Sequence, residues 1–120
     1  MRVFKNTWFT RFADKEGIKD SELCETVNRL EAGQSDADLG GGVFKARVAR
    51  PGEGKSGGYR VIVFFKSEER TFYQYGFSKS DRANVDQKEL RLYKKIAKTK
   101  LAMTEKEITD AVNAGELIEI

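Results

Sequence analysis

The sequence predicts an α+β fold: an antiparallel β-sheet meander packed by an N-terminal helical pair and by C-terminal helices. Three observations predict it. Residues 43–49, 59–66 and 70–77 are consecutive runs rich in β-branched and aromatic residues, joined by short turn-forming stretches, as in an antiparallel meander. Apolar residues recur at helical spacing in two segments before these runs and in two after them. No internal repeat, low-complexity tract or linker interrupts the 120 residues, so one domain covering 1–120 is expected.

The elements follow in order. Arg2–Lys5 reads as a short extended segment. Trp8, Phe9, Phe12 and Ala13 then repeat at helical spacing until Gly17. Asp20 or Ser21 can cap a second helix, in which Leu23, Val27 and Leu30 share a face and which Gly33 can end. SDADLGGG, with two Asp and three consecutive Gly, signals an irregular loop. In VFKARVA, residues 43–49, Phe44, Ala46 and Val48 alternate with Lys45 and Arg47, so one face is buried and the two cations stand together on the other. RPGEGKSGG reads as a flexible turn. YRVIVFFK, residues 59–66, is nearly continuous apolar, as in a central strand, and RTFYQYGF, residues 70–77, returns beside it. Asp86 with Glu89, and Thr104 with Glu107, have capping-box spacing and open the two C-terminal helices. The final LIEI is apolar and suits an edge strand or a contact with a partner.

Composition excludes much chemistry. There is no histidine, and Cys24 is the only cysteine. The common zinc ligand sets and the Ser-His or Cys-His nucleophile systems cannot be built, so acid–base work falls to Lys, Arg, Tyr, Asp or Glu. No metal or cofactor is expected. Cys24, within a helical pattern, reads as a small buried hydrophobe. No run approaches the ~18 apolar residues of a membrane span. The opening MRVFKNTWF lacks the apolar stretch of a secretion signal. A cytoplasmic protein with no membrane association is expected.

Charge is unevenly placed. Residues 1–42 carry a net −2, residues 43–82 a net +5 and residues 83–120 a net of zero. A basic field confined to the middle third fits a polyanionic partner, and it equally fits a solvated polar face.

GEGKS at 52–56 invites a nucleotide-binding reading, but the first position of a P-loop would fall on Ala49, and a strand rather than a helix follows the Lys-Ser. A hairpin turn is favoured, with Lys55 still able to meet an RNA phosphate. A second constellation is Lys45 and Arg47 on one strand, Arg60 on the next, and Tyr73, Tyr75 and Lys79 at and beyond the third. Neighbouring strands lie ~4.8 Å apart, so these groups can converge on one sheet face. Cations meet phosphates and aromatic rings stack unpaired bases, which suits RNA. The two tyrosines could instead be core residues. Arg50 and Arg82 extend the basic surface as further RNA contacts.

The segment ADLGGGVFKARVARPGEGKSGGYRVIVFFK, followed by TFYQYGFSKSDRANVDQKEL, resembles the RelE/HigB-like toxins of bacterial type II toxin–antitoxin systems, in the RelE/ParE superfamily branch that has a glycine-rich hairpin before Gly-Tyr-Arg. SGGYRV and YGFSKSDRANV, in that order, carry the specificity, and the likeness extends to the terminal AGELIEI. The resemblance implies a RelE-like antiparallel sheet flanked by helices. It implies a cytoplasmic, metal-independent messenger RNA endoribonuclease, in many members acting at the ribosome, that inhibits translation. The implied partners are messenger RNA, the ribosome and a cognate antitoxin, expected to be a helix-turn-helix protein from the adjacent gene.

Residue by residue, Arg60 matches the family arginine that contacts the scissile phosphate. Lys45 and Arg47 match a pair of basic residues on the preceding strand, and Lys79 lies where further active-site groups arise. The chain departs from RelE itself near Ser80, where RelE has an arginine, and near Asp86, where it has a catalytic tyrosine; the HigB histidines are absent. The implied mechanism has the RNA 2′-hydroxyl attack the adjacent phosphate. Arg60 and Arg47 stabilise the growing charge and Lys45 or Lys79 serves as base or acid. The alternatives are a ParE-type gyrase-directed toxin, which shares the fold, and a non-catalytic RNA- or antitoxin-binding protein.

Overall fold

The longest run of β-branched and aromatic residues lies at the centre of the sheet. A computed structural model describes residues 1–50, 54–78 and 85–120, with backbone only at residues 50 and 54–57. Within these, β4 (Gly54–Lys66) pairs antiparallel with β3 (Val43–Arg50) on one side and with β5 (Arg70–Ser78) on the other. The expected meander is therefore present. β4 begins at Gly54, inside the stretch read as a turn, and it continues through Lys55-Ser56 with no helix after them, as the argument against a P-loop requires. Gly58 is obligatory here: a Cβ would collide with the backbone carbonyl of Val48, where the β3–β4 register shifts.

Two further strands complete one side. β1 (Arg2–Asn6) lies parallel to β5, and β6 (Leu117–Glu119) pairs antiparallel with β1, so the C-terminal apolar residues form the edge strand that their composition allows. The opposite edge is β2 (Ala37–Gly40), paired with β3. This corrects the reading of SDADLGGG as an irregular loop: its backbone enters the sheet although its side chains do not alternate. Gly40, Gly41 and Gly42 then turn the chain at φ of 89°, 64° and 82°, a left-handed path that glycine follows without strain. The strand order is β2-β3-β4-β5-β1-β6.

Helices cover both faces. α1 (Thr7–Glu16) and α2 (Asp20–Glu31) pack Phe9, Ala13, Leu23, Val27 and Leu30 against Val48, Val61, Val63 and Tyr73. α3 (Gln87–Leu101) and α4 (Glu105–Asn113) pack Tyr93, Ala97, Ile108 and Ala111 against Phe4, Val43, Phe64 and Phe72. Both capping boxes form as their spacing predicts, at Asp86 with Glu89 and at Thr104 with Glu107. α2 is capped by Lys19 rather than by a side-chain acceptor. Cys24 is exposed, contrary to expectation. Leu23 occupies the inward position, and the next residue is turned about 100° away from it. Among the described residues no helix is long and apolar enough to cross a membrane.

Candidate functional site

Alternation along β3 places Val43, Lys45 and Arg47 on the α3 face of the sheet. The β4 register sets Arg60 opposite Arg47 and Ile62 opposite Lys45. On β5, Phe77 stands opposite Arg60 and Tyr75 opposite Ile62. Arg47, Arg60 and Lys45 therefore do converge, on the part of this face beyond the apolar core of Val43, Phe64 and Phe72.

Two guanidinium groups directly opposite one another repel. Asp36 lies between them. Arg47 Nε donates to Asp36 Oδ1 at 2.7 Å, and Arg60 Nε forms an ion pair with Asp36 Oδ2 at 3.1 Å. Asp36 is fixed in place because its own N–H donates to the Lys45 carbonyl at 2.9 Å, just before β2 begins. β2 starts opposite Lys45, so α2 covers the edge of β3 at Arg47: Arg29 Nη2 and Thr26 Oγ1 donate to the Arg47 carbonyl at 2.8 and 3.2 Å. The Arg47 backbone is thus held by α2 and its side chain by Asp36. A shallow cavity of about 220 Å³ opens here, lined by Thr26, Arg29, Gln34, Ser35, Asp36, Ala46 and Arg47.

The two arginines differ in exposure. The Arg47 side chain is 45% exposed and that of Arg60 only 7%. Arg60 Nη1 is buried and has no hydrogen-bond partner among the described residues. An unmet buried donor costs about 1–3 kcal/mol, so an acceptor that reached this one would be favoured.

The tyrosines separate. Strict alternation would put Tyr73 and Tyr75 on one face. The register steps from Ile62↔Tyr75 to Val63↔Tyr73, leaving Gln74 as an extra residue, a β-bulge. Asn6 Nδ2 satisfies the Gln74 carbonyl at 3.0 Å, while Asn6 Oδ1 caps α1 by accepting from the Phe9 N–H. Beyond the bulge Tyr75 turns toward the cationic face. Tyr73 is instead fully buried under α1 and α2 and donates its hydroxyl to the Leu23 carbonyl at 2.7 Å. Burial pushes its phenol well above the ordinary range. This corrects the expectation that Tyr73 contacts RNA: it is a core residue and offers no ring to a base. Tyr75 is half-buried and stacks on Trp8 at 4.4 Å, next to Phe77. Trp8, read from the sequence as part of an apolar helix face, is 42% exposed.

Lys79 and Arg82 lie outside the described residues, as do the side chains of Arg50 and Lys55. Among the described residues, the lysine whose ammonium burial pushes down is Lys100. It sits over the Phe72 ring and beside Gln74, and Phe72 pairs with Phe64, four residues along β4 from Arg60. At ~3.3 Å per residue Lys100 is too far from the arginines to join them. Sequence reasoning missed Asp36 and Arg29. Asp36 sat in a presumed loop and Arg29 on an outward helix face, and only the β2–β3 pairing shows what they touch.

One comparison decides the family. The profile of the RelE toxin of the RelE/RelB toxin–antitoxin system matches residues 1–120. The chain belongs to the RelE toxin family. It is thus the toxin half of a toxin–antitoxin pair, with an antitoxin as its partner. The six-stranded, mostly antiparallel sheet and the four helices of the described residues agree with a RelE-like fold.

Proposed function

We propose that this RelE-family toxin is a metal-independent endoribonuclease that cuts messenger RNA at the ribosome and so arrests translation. The observation that carries the reading is the Arg47–Arg60 pair. Among the described residues the two guanidinium groups share one carboxylate, and a buried Arg60 N–H has no acceptor. A pair with surplus positive charge and an unmet donor is suited to a phosphate. The RNA 2′-hydroxyl attacks the adjacent phosphorus, the bond to the 5′-oxygen breaks, and the products carry a 2′,3′-cyclic phosphate and a 5′-hydroxyl. Arg60 and Arg47 stabilise the charge developing on the phosphoryl oxygens, which supplies the role a metal would otherwise take. Lys45 or Lys79 takes the 2′-hydroxyl proton or returns one to the leaving oxygen, since the chain has no histidine. Tyr75, beside Trp8, offers the aromatic surface for a neighbouring base. Arg50, Lys55 and Arg82 add phosphate contacts. The ribosome positions the message, and toxin and antitoxin meet in the cytoplasm.

Induction of the toxin without its antitoxin tests this. Translation is expected to stop before replication, and primer extension to map new 5′-hydroxyl ends within open reading frames. Collapse of DNA synthesis with intact messages would replace this reading by the gyrase-directed one.

A further inference from the structure

We infer that Asp36 is a positioning residue that holds Arg47 and Arg60 side by side as an anion clamp. The inference rests on the ribonuclease reading above and assigns a role to a residue outside its phosphate-binding set. Each oxygen of Asp36 takes one arginine, and it takes each by Nε: Oδ1 with Arg47 at 2.7 Å and Oδ2 with Arg60 at 3.1 Å. A guanidinium held at Nε still has its two Nη groups as a planar fork, one of the edges that can grip a phosphate bidentately. Arg60 Nη1, buried and without a partner among the described residues, is part of that edge.

Without Asp36 nothing described would hold the two forks together. They stand on register-paired positions of neighbouring strands and repel. Among the described residues a single carboxylate offsets one of the two charges, which is enough to gather them and too little to neutralise them. Its rigidity is built in. The Asp36 backbone is tied to Lys45, its side chain is only 18% exposed, and the Arg47 carbonyl is pinned by Arg29 and Thr26.

The test is Asp36→Asn, which keeps the size of the side chain and leaves only one oxygen to share. On programmed ribosomes its cleavage rate at saturation is expected to fall about 100-fold, the penalty of a reacting group misplaced by about 1 Å. Affinity for an uncleavable 2′-deoxy RNA analogue should hold or tighten, because the cluster gains one positive charge. Asp36→Glu should recover part of the rate. A structural role alone would lower the melting temperature and the affinity together, and that outcome overturns the proposal. So does Asp36→Asn cleaving at the parental rate, or faster, as a removed brake would. If the parent itself does not cut RNA, the ribonuclease reading fails separately. Asp36 is then judged by the arginine Nε–Hε NMR signals. Two sharp signals in the parent that broaden in Asp36→Asn sustain the clamp, and equally sharp signals in both variants refute it.

Discussion

The sheet carries two pairs of arginines on register-matched neighbouring strands, and they are satisfied differently. Arg2 on β1 and Arg70 on β5 meet two carboxylates. Glu119 takes Arg2 bidentately at 2.9 Å, Glu105 bridges both arginines at 2.6 and 3.2 Å, and the Met103 carbonyl accepts from Arg70 at 2.6 Å. This cluster balances two positive charges with two negative ones and ties the first strand to α4 and to the C-terminal strand. Among the described residues Arg47 and Arg60 meet one carboxylate and leave a buried donor unmet. Both pairs include a buried arginine, Arg70 in one and Arg60 in the other. Burial of an arginine therefore does not distinguish a staple from a site. On the reading proposed above, the count of acceptors among the described residues does.

Truncation should separate the two pairs, and the largest effect is expected at Arg60. Arg60→Ala should reduce cleavage on programmed ribosomes by about 10²–10³-fold and abolish toxicity. Because Arg60 is buried and paired rather than on an exposed rim, the variant should also lose stability, by about 1–3 kcal/mol, with Asp36 retaining Arg47. Arg70→Ala should lose a comparable amount in a denaturant melt while each folded molecule cleaves at the parental rate. Equal losses of cleavage in both variants would erase the distinction.

Tyr73→Phe sharpens it on the aromatic side. Removing the hydroxyl strands the buried Leu23 carbonyl and should cost about 1–3 kcal/mol with cleavage per folded molecule unchanged. Tyr75→Ala should differ in weakening RNA affinity per folded molecule by about 1–3 kcal/mol, beside the stability lost with its packing on Trp8. A Tyr73→Phe protein that melts like the parent but binds RNA poorly would put that ring back at the interface.

The smallest effect is a pH dependence of the satisfied carboxylates. The hydrogen bond from Arg2 holds the Glu119 carboxyl below its ordinary value of 4.5, the Glu68 N–H does so for Glu31 and the Thr104 N–H for Glu107. Each folded-state value is depressed, so each contribution is present above the unfolded value and is lost as pH falls below 4.5 through the folded value. Denaturant midpoints should be flat from neutral pH down to about 5 and fall below that. A midpoint that rises on acidification would contradict these assignments.

Much of the scaffold was legible in the sequence because its elements carry their own periodicity. Phe44, Ala46 and Val48 alternate, Leu23, Val27 and Leu30 repeat at helical spacing, and both capping boxes are local. What was not legible depends on pairing. ADLG has no alternation to mark β2, yet its backbone forms the sheet edge and sets Asp36 beside the arginines. In TFYQYGF, Tyr73, Tyr75 and Phe77 stand at alternate positions with nothing to mark a break. The bulge at Gln74 is fixed by Asn6, 68 residues away, and it reverses the face of every residue before it relative to those after. Convergence of Lys45, Arg47 and Arg60 could be read from strand order. The burial of Arg60 and its carboxylate could not.

The central claim is that the Arg47–Arg60 pair is the open anion site and the Arg2–Arg70 pair is not. Titrating the toxin with an uncleavable 2′-deoxy RNA analogue while following the four arginine Nε–Hε signals tests it most directly. The account predicts saturable shifts at Arg47 and Arg60 that weaken as salt rises, with Arg2 and Arg70 unmoved. Shifts at Arg2 and Arg70 of the same size, or still signals at Arg47 and Arg60 while the RNA binds, would contradict it.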